Sequence, residues 1–556
     1  MPLRRNDLRR LPAALLLCLA GVVGPEARAQ GGAVSAAWPG SDREQVGRLV
    51  GLTVTAPARA LEPHAALLRS LGAALAPALD FVPLRWVLPE LRQRWNSALP
   101  WEGNDGPLRA GRGRQTLLTG GVAARVGRVS VVLVPQWLAE DNLPYQVIPY
   151  DQRWTPRRSV WANPFHPLPE SIDLPLRFGD TPRRSLGLGQ SRVAIDLTRH
   201  ARIGASTESR WWGPGVRNAL LLSSHAGGVP HLFAESRRPW ETRIGAFAGQ
   251  YLLGRLRESP FFDADPANDV RSLSAFALTW RPPGDSSGRW PTLGIARGVM
   301  AVGGPRLGTA LDAWRDVGRP VSDTADIARR GGRDQVTSLF ARWVLPEAGA
   351  EAWLEWARME LPASLRDWME FPGHSQAYTL GMQALRPLRR GRLQLLGELT
   401  YAEPSPSLRV RPASAPYTSA AVPQGWTHEG QALGPAIGPG ASSQFALVEW
   451  HGAWRGRDVR VGGSLGRVRW DNGVLFTGLV PEVKREDVTL HAAVRGAVRI
   501  GPMVALVEFS RQSRFNYLYQ AYLRDPATGA TEGVDLASRT LSVTLTPATR
   551  DAFLPR

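Results

Sequence analysis

Along most of this chain apolar and polar side chains alternate with period two, over segments of about ten residues, the length a tilted strand needs to cross a bilayer. From Arg392 to Tyr401, the residues Leu393, Leu395, Leu399 and Tyr401 face one way with Gly397 among them. Arg392, Gln394, Glu398 and Thr400 face the other. From Val488 to Arg499, Val488, Leu490, Val494 and Val498 oppose Thr489, His491, Arg495 and Arg499. Val193, Ile195 and Leu197 oppose Arg192, Asp196 and Thr198, and Leu541, Val543 and Leu545 oppose Ser542, Thr544 and Thr546. Neighbouring side chains of a strand point to opposite faces, so each segment has one greasy and one wet side. A one-sided soluble sheet would alternate in the same way. Repetition over so much of the chain favours an all-β fold, a large antiparallel transmembrane β-barrel.

The connections carry a second signal. Short turns at Arg125–Arg128, Arg386–Arg390, Arg455–Arg457 and Gly501-Pro502 alternate with long stretches at 141–187, 303–335, 403–442 and 515–536. Short turns on one side and long loops on the other are the habit of outer-membrane barrels, whose strand number is even. Counting back from the last hairpin gives seventeen strands, so about 18 are expected under that rule, the missing one lying before Gln115, near Leu52–Thr55. His64–Leu79 and Leu84–Trp95 instead space their apolar residues for short helices, interrupted by Pro77 and Pro89. Such helices could pack against a periplasmic partner; the reading preferred is a segment that plugs or caps a barrel otherwise too wide to close itself.

Composition changes the picture at the N-terminus. A basic head, MPLRRNDLRR, precedes the apolar stretch Leu11–Val23 and a small-x-small site at Ala27–Ala29, the pattern of a cleavable signal peptide. Cys18, the single cysteine, falls inside it, so the mature chain is expected to hold no disulfide and no cysteine metal site. The expected domains are therefore a leader over 1–29, a periplasmic plug segment with short helices over 30–113 and a barrel over 114–556. The net charge of +18 rests almost wholly on arginine, Lys484 being the only lysine. Guanidinium forks suit carboxylates and phosphates, and no nucleic-acid-binding signature accompanies them.

The stretch STESRWWGPGVRNALLLSSH, Ser206–His225, sets two tryptophans beside Gly213-Pro214-Gly215. With Gly189-Gln190-Ser191 before it, Pro230-His231 after it, and WEGNDGPLRAGRG at Trp101–Gly113 upstream, this series resembles the capsule assembly Wzi family of outer-membrane proteins. The resemblance is carried by residues 104–259 and beyond them by strand pattern alone. It implies a monomeric 18-stranded barrel, sealed at its periplasmic end, that holds capsular or exopolysaccharide at the cell surface in a lectin-like way. Partners are then the surface polysaccharide and outer-membrane lipid, with no cofactor, no metal and no nucleic acid.

Candidate ligand-binding residues are Trp211, Trp212, Arg210, Glu208 and Asn218, with Gly213, Pro214 and Gly215 fixing the turn. Indole stacks on the flat C–H faces of sugars, and arginine pairs with acidic ones. In an extended segment adjacent rings alternate faces, leaving one to pack and one for a ligand. The motif could instead only order a loop folded into the barrel, with Arg210 and Glu208 an internal ion pair. Trp353 and Trp356 fit an interfacial girdle, and Tyr517 and Tyr519 a loop base. Glu351 and Glu355 share a strand face, but lumens carry such charges routinely, and Ser223, Ser224 and His225 are neighbours in sequence without being a dyad. No catalytic or metal site is expected, His225 and His231 lacking a third placed ligand. The rival function is a channel for solute passage or polysaccharide export.

Overall fold

The computed structural model describes residues 48–49 and 84–548, apart from 102, 154, 168, 284–289, 316, 322–331, 406, 408–409, 411–414, 477–484 and 521–532. The leader, His64–Leu79 and Leu52–Thr55 lie outside the described residues. The chain opens its wall with β1 (Arg85–Asn96) and β2 (Gly113–Val126). Two broken strands follow. β3 (Val129–Leu133) and β4 (Gln136–Glu140) both pair with β2, while β5 (Arg183–Gly187) pairs with β4 and β6 (Arg192–Asp196) with β3. Next come β7 (Ala201–Ser206), and β8 (His231–Ser236) with β9 (Trp240–Thr242), which together flank β10 (Gly245–Arg257). β11 (Val270–Arg281), β12 (Thr292–Val302), β13 (Arg333–Leu345), β14 (Ala350–Arg358), β15 (Gln376–Leu388) and β16 (Gly391–Tyr401) continue as a meander. A small separate hairpin, β17 (Thr427–His428) and β18 (Gln431–Ala432), sits outside the wall sheet. The wall finishes with β19 (Ser442–Trp454), β20 (Arg457–Arg469), β21 (Val488–Ile500), β22 (Met503–Phe515) and β23 (Leu536–Pro547). β23 pairs antiparallel with β1, and the cylinder closes at 18 strands with no free edge.

One expectation is overturned at the start. Leu84–Trp95, spaced for a helix, is the strand that completes the even count, with β2 on one side and β23 on the other. Two flanking ladders outweigh local propensity here. Pro89 is tolerated because the register with β2 shifts between Val87 and Glu90, where a missing N–H breaks no ladder bond.

The alternation behaves as read. In β16 Leu395 and Leu399 point out and are exposed, while Gln394, Glu398 and Thr400 are buried inside. Exposed Val193, Leu354, Leu380, Val461, Leu490 and Leu541 continue an apolar outer surface that only lipid can cover. Trp86, Trp240, Trp290, Trp343 and Trp454 are exposed near the short-turn ends of their strands, and Trp95, Trp137 and Phe515 near the other, giving two aromatic girdles. Trp353 is not among them. It shares the inner face of β14 with Glu351 and Glu355, and its ring covers Gly381, where an added Cβ would stand 2.4 Å from the indole. Of the chain before β1, Arg48 and Leu49 also lie inside. Arg48 pairs with Glu351 at 2.9 Å and sits 5.0 Å from the Trp353 ring centre, while Leu49 packs on Val344 and Leu385.

Leu395 stands near the middle of β16 on its outer face. Leu395→Arg is expected to destabilise the bilayer-folded barrel by about 2–4 kcal/mol, the midplane cost of a lipid-facing arginine. Urea-dependent refolding into vesicles measures it, and an unchanged midpoint would place that residue away from lipid.

Candidate functional site

Between β7 and β8 the chain leaves the wall and turns down into the lumen; this segment is the Trp-Trp-Gly-Pro-Gly stretch. Trp212 N–H donates to Leu222 O at 2.9 Å, closing the intervening residues into a loop. Gly213 has φ 132, and a Cβ on it would stand 2.3 Å from Glu355 Oε2. On Gly215 a Cβ would meet Asn218 O at 2.0 Å. No side chain fits at either glycine, which lets the backbone itself reach the wall. There the three successive amides of Val216, Arg217 and Asn218 donate to the Glu398 carboxylate of β16, at 2.5, 2.9 and 2.9 Å. Leu220 N–H donates to Glu355 Oε2 at 3.3 Å. Consecutive amides aimed at one point form an anion-binding concavity, and here a wall carboxylate occupies it.

Two more loops lock onto the first. Asn104 Nδ2 donates to Arg217 O at 2.8 Å and Gly106 N–H to Ser224 O at 2.8 Å, so the Asn-Asp-Gly stretch meets the tryptophan stretch in space. From the loop between β16 and β19, Trp426 Nε1 donates to Leu221 O at 2.8 Å and the Tyr417 hydroxyl to Leu220 O at 3.0 Å. Ser223 N–H donates to Leu433 O at 2.7 Å, and Gln431 Nε2 reaches the carbonyls of Gly106, Leu108 and His225. The Trp426 ring lies on β12 where Gly298 leaves room; a Cβ there would come within 2.7 Å. Trp212, Leu220, Leu221, Leu222, Trp426 and Leu433 join Ala275, Ala277, Ala296 and Met300 of the wall in one apolar core inside the barrel.

Both predicted tryptophans are consumed by this packing. Trp211 is 3% and Trp212 1% exposed; Trp211 Nε1 donates to Gly215 O and Trp212 Nε1 to Gln250 Oε1. The expectation that one ring stays free fails because the segment lies within the lumen, where protein meets it in both directions. Arg210 and Glu208 are likewise buried, in a charged network. Arg210 pairs with Glu235 at 3.0 Å and approaches Glu208 at 3.9 Å, and Arg192 approaches Glu208 at 3.7 Å. Asn218 is tied to Thr400 Oγ1 at 3.1 Å and Ser443 Oγ at 3.3 Å, and it alone of the five also lines open space.

That space is a narrow open cleft between the β1–β2 loop, residues 217–218 and the long-loop ends of β19, β20 and β21. Its flat groups form a row. Trp101 lies 5.1 Å from His491, His491 stacks on Phe445 at 6.1 Å with 8° between planes, and the Arg217 guanidinium sits 4.5 Å over Phe445. Trp470, Arg467, Gln444 and Asn104 complete the lining. Arg467 bonds Gln444 Oε1 at 3.3 Å. The sequence held a signal for Phe445, which alternates in step with Ser443 and Glu449 on the inner face; Trp101 and Arg217 lie in the two stretches that carry the family resemblance, but loops have no alternation to say where their side chains point.

The carboxylates weighed for catalysis are occupied. Glu351 is bound by Arg48, Arg342 and Gln383, and Glu355 by Ser338 Oγ at 2.7 Å and the Leu220 amide. Ser223 Oγ donates to Gly434 O and accepts from the His225 backbone N–H, which is not a dyad geometry. His231 Nδ1 faces Val229 O and its Nε2 accepts from Arg210. Burial lowers the His225 imidazole to about 4, so it is neutral at pH 7.

These features define a class: a closed membrane barrel filled from its long-loop end by its own chain. No protein-family model matches the sequence, and no curated relative matches it. Among solved structures it is similar to Wzi of Escherichia coli, described as an outer membrane protein involved in group 1 capsule assembly and a carbohydrate-binding β-barrel. The TM-score is 0.55 at 10% identity, over 92% of this chain and 99% of that one. It is also similar to Pseudomonas aeruginosa OccK7, with TM-score 0.38 and 10% identity over 84% and 100% of the two chains. Pseudomonas putida OprB gives TM-score 0.34 and 10% identity over 83% and 93%. At such identities the likeness is one of fold.

Glu398→Ala leaves three buried amides without an acceptor, each costing about 1–3 kcal/mol. Amide exchange at Val216–Asn218 is expected to quicken about 10- to 100-fold relative to the wall strands. Unaltered exchange there would mean that the carboxylate does not hold the loop.

Proposed function

We propose that this chain is an exported, monomeric outer-membrane barrel of the Wzi kind that binds and retains capsular or exopolysaccharide at the cell surface, without catalysis. One observation carries the reading: the lumen is filled by its own loops, yet a cleft faced with aromatic rings and guanidinium groups stays open near the long-loop rim. Stacked rings suit the C–H faces of sugars, and amide and guanidinium donors suit their oxygens. Carbohydrate binding is what the Escherichia coli barrel of the same fold is described as doing. The tryptophan stretch serves this function as the frame of the plug, and Asn218 is the member of the predicted set that reaches the ligand. Arg48, one of the two described residues before residue 84, contacts Glu351 and Trp353 near the short-turn end of β14.

A channel needs a wetted path, and the apolar core around Trp212 and Trp426 offers none on its side of the lumen. Planar bilayers holding the purified protein are therefore expected to show no steady large conductance. Cells lacking the protein should shed polysaccharide into the medium. Trp212→Ala, a core truncation costing about 3–5 kcal/mol, should loosen the plug and lower retention while the barrel still assembles. Steady conductance of the unaltered protein, with retention indifferent to its loss, would favour the channel instead.

A further inference from the structure

Arg217 lines the cleft half-buried and, among the described residues, no hydrogen bond or ion pair is made by its side chain. Two of the three nearby carboxylates are already engaged. Glu398 is saturated by three backbone amides, one of them Arg217's own. Asp105 is held by Arg94 and by the Gly103 N–H at 3.0 Å. Glu508 of β22 lies within electrostatic reach of Arg217, but the two form no ion pair. The side chain is not idle in its placement: its guanidinium carbon is held 4.5 Å over the Phe445 ring centre, at the wall of the cleft. Burial lowers its pKa, against the opposing pull of Glu508, Glu398 and Asp105. A guanidinium offers five donors in a fixed fork, and at the half-buried wall of the cleft these face open space where a ligand can replace water.

We infer that the cleft is a subsite for an acidic sugar residue, whose carboxylate is taken by the Arg217 fork while its ring lies along the Trp101–His491–Phe445 row. This rests on the polysaccharide-retention reading and narrows its ligand from any glycan to one bearing a carboxylate in its repeat. The bidentate match of guanidinium and carboxylate supplies the discrimination, and stacking supplies a contribution common to charged and neutral sugars.

The test is binding of trigalacturonate to the detergent-purified full chain by calorimetry, beside galactotriose and a sulfated galactose trimer. Trigalacturonate should bind at least about tenfold more tightly than galactotriose, and Arg217→Gln should erase that preference while neutral binding persists. Arg217→Lys should keep part of it, as a point charge without a fork. Equal affinities for trigalacturonate and galactotriose in the unaltered protein, a measurement that needs no variant to fold, would overturn the inference. So would tighter binding of the sulfated trimer than of the uronate, or an undiminished preference in Arg217→Gln. Failure here with polysaccharide still retained on cells removes only the acidic subsite. Charge-selective binding with no retention on cells sustains the subsite and removes the retention reading.

Discussion

Everything inside the barrel depends on one buried carboxylate. Glu398 projects from the wall into the lumen and is met by three consecutive backbone amides of a loop about 180 residues away in sequence. A carboxylate in that position would be costly if left dry and alone. Three peptide dipoles answer it, and they can do so only because Gly213 and Gly215 let the backbone lie against the wall. The same contact fixes where Arg217 and Asn218 emerge, and so fixes one side of the cleft.

From that anchor the rest of the filling follows as packing. An 18-stranded cylinder is too wide for its wall side chains to close, and the chain supplies the missing volume from its own loops. Small wall residues make room for large loop ones: Gly298 beneath Trp426, Ala275 and Ala277 beside Trp212 and Leu221. On the opposite side the wall stays polar, with Glu449 held by Arg460 and Arg495. The cleft lies where the two regimes meet near the rim, and it inherits rings from one and charged groups from the other.

The wall was legible in the sequence because a barrel strand must keep period two to have lipid on one side and water or protein on the other. The faces of β16 and β21 follow from their residues alone. Leu84–Trp95 was misread as helical because β1 gains its conformation from pairing with β2 and β23, contacts a local pattern does not contain. Trp353 was recoverable: it alternates in step with Glu351 and Glu355, and two lumenal glutamates flanking a tryptophan argue against lipid. The fates of Trp211 and Trp212 were not recoverable, since nothing local states that a polar-ended loop will be swallowed by the barrel. Glu398 could be read as lumen-facing, while its partners required the closed fold.

The central claim is that the tryptophan loop lies inside the barrel against β16 and β19. Cys18 is the single cysteine of the chain, which makes thiol cross-linking at other positions clean in a Cys18→Ala background. Asn218 Nδ2 and Ser443 Oγ are 3.3 Å apart, so the double substitution Asn218→Cys, Ser443→Cys places two thiols within reach of a short bifunctional reagent. Efficient bridging of the two thiols in the assembled barrel is the expected outcome. Absence of any bridge, with both thiols present and the barrel assembled, would place the loop away from β19.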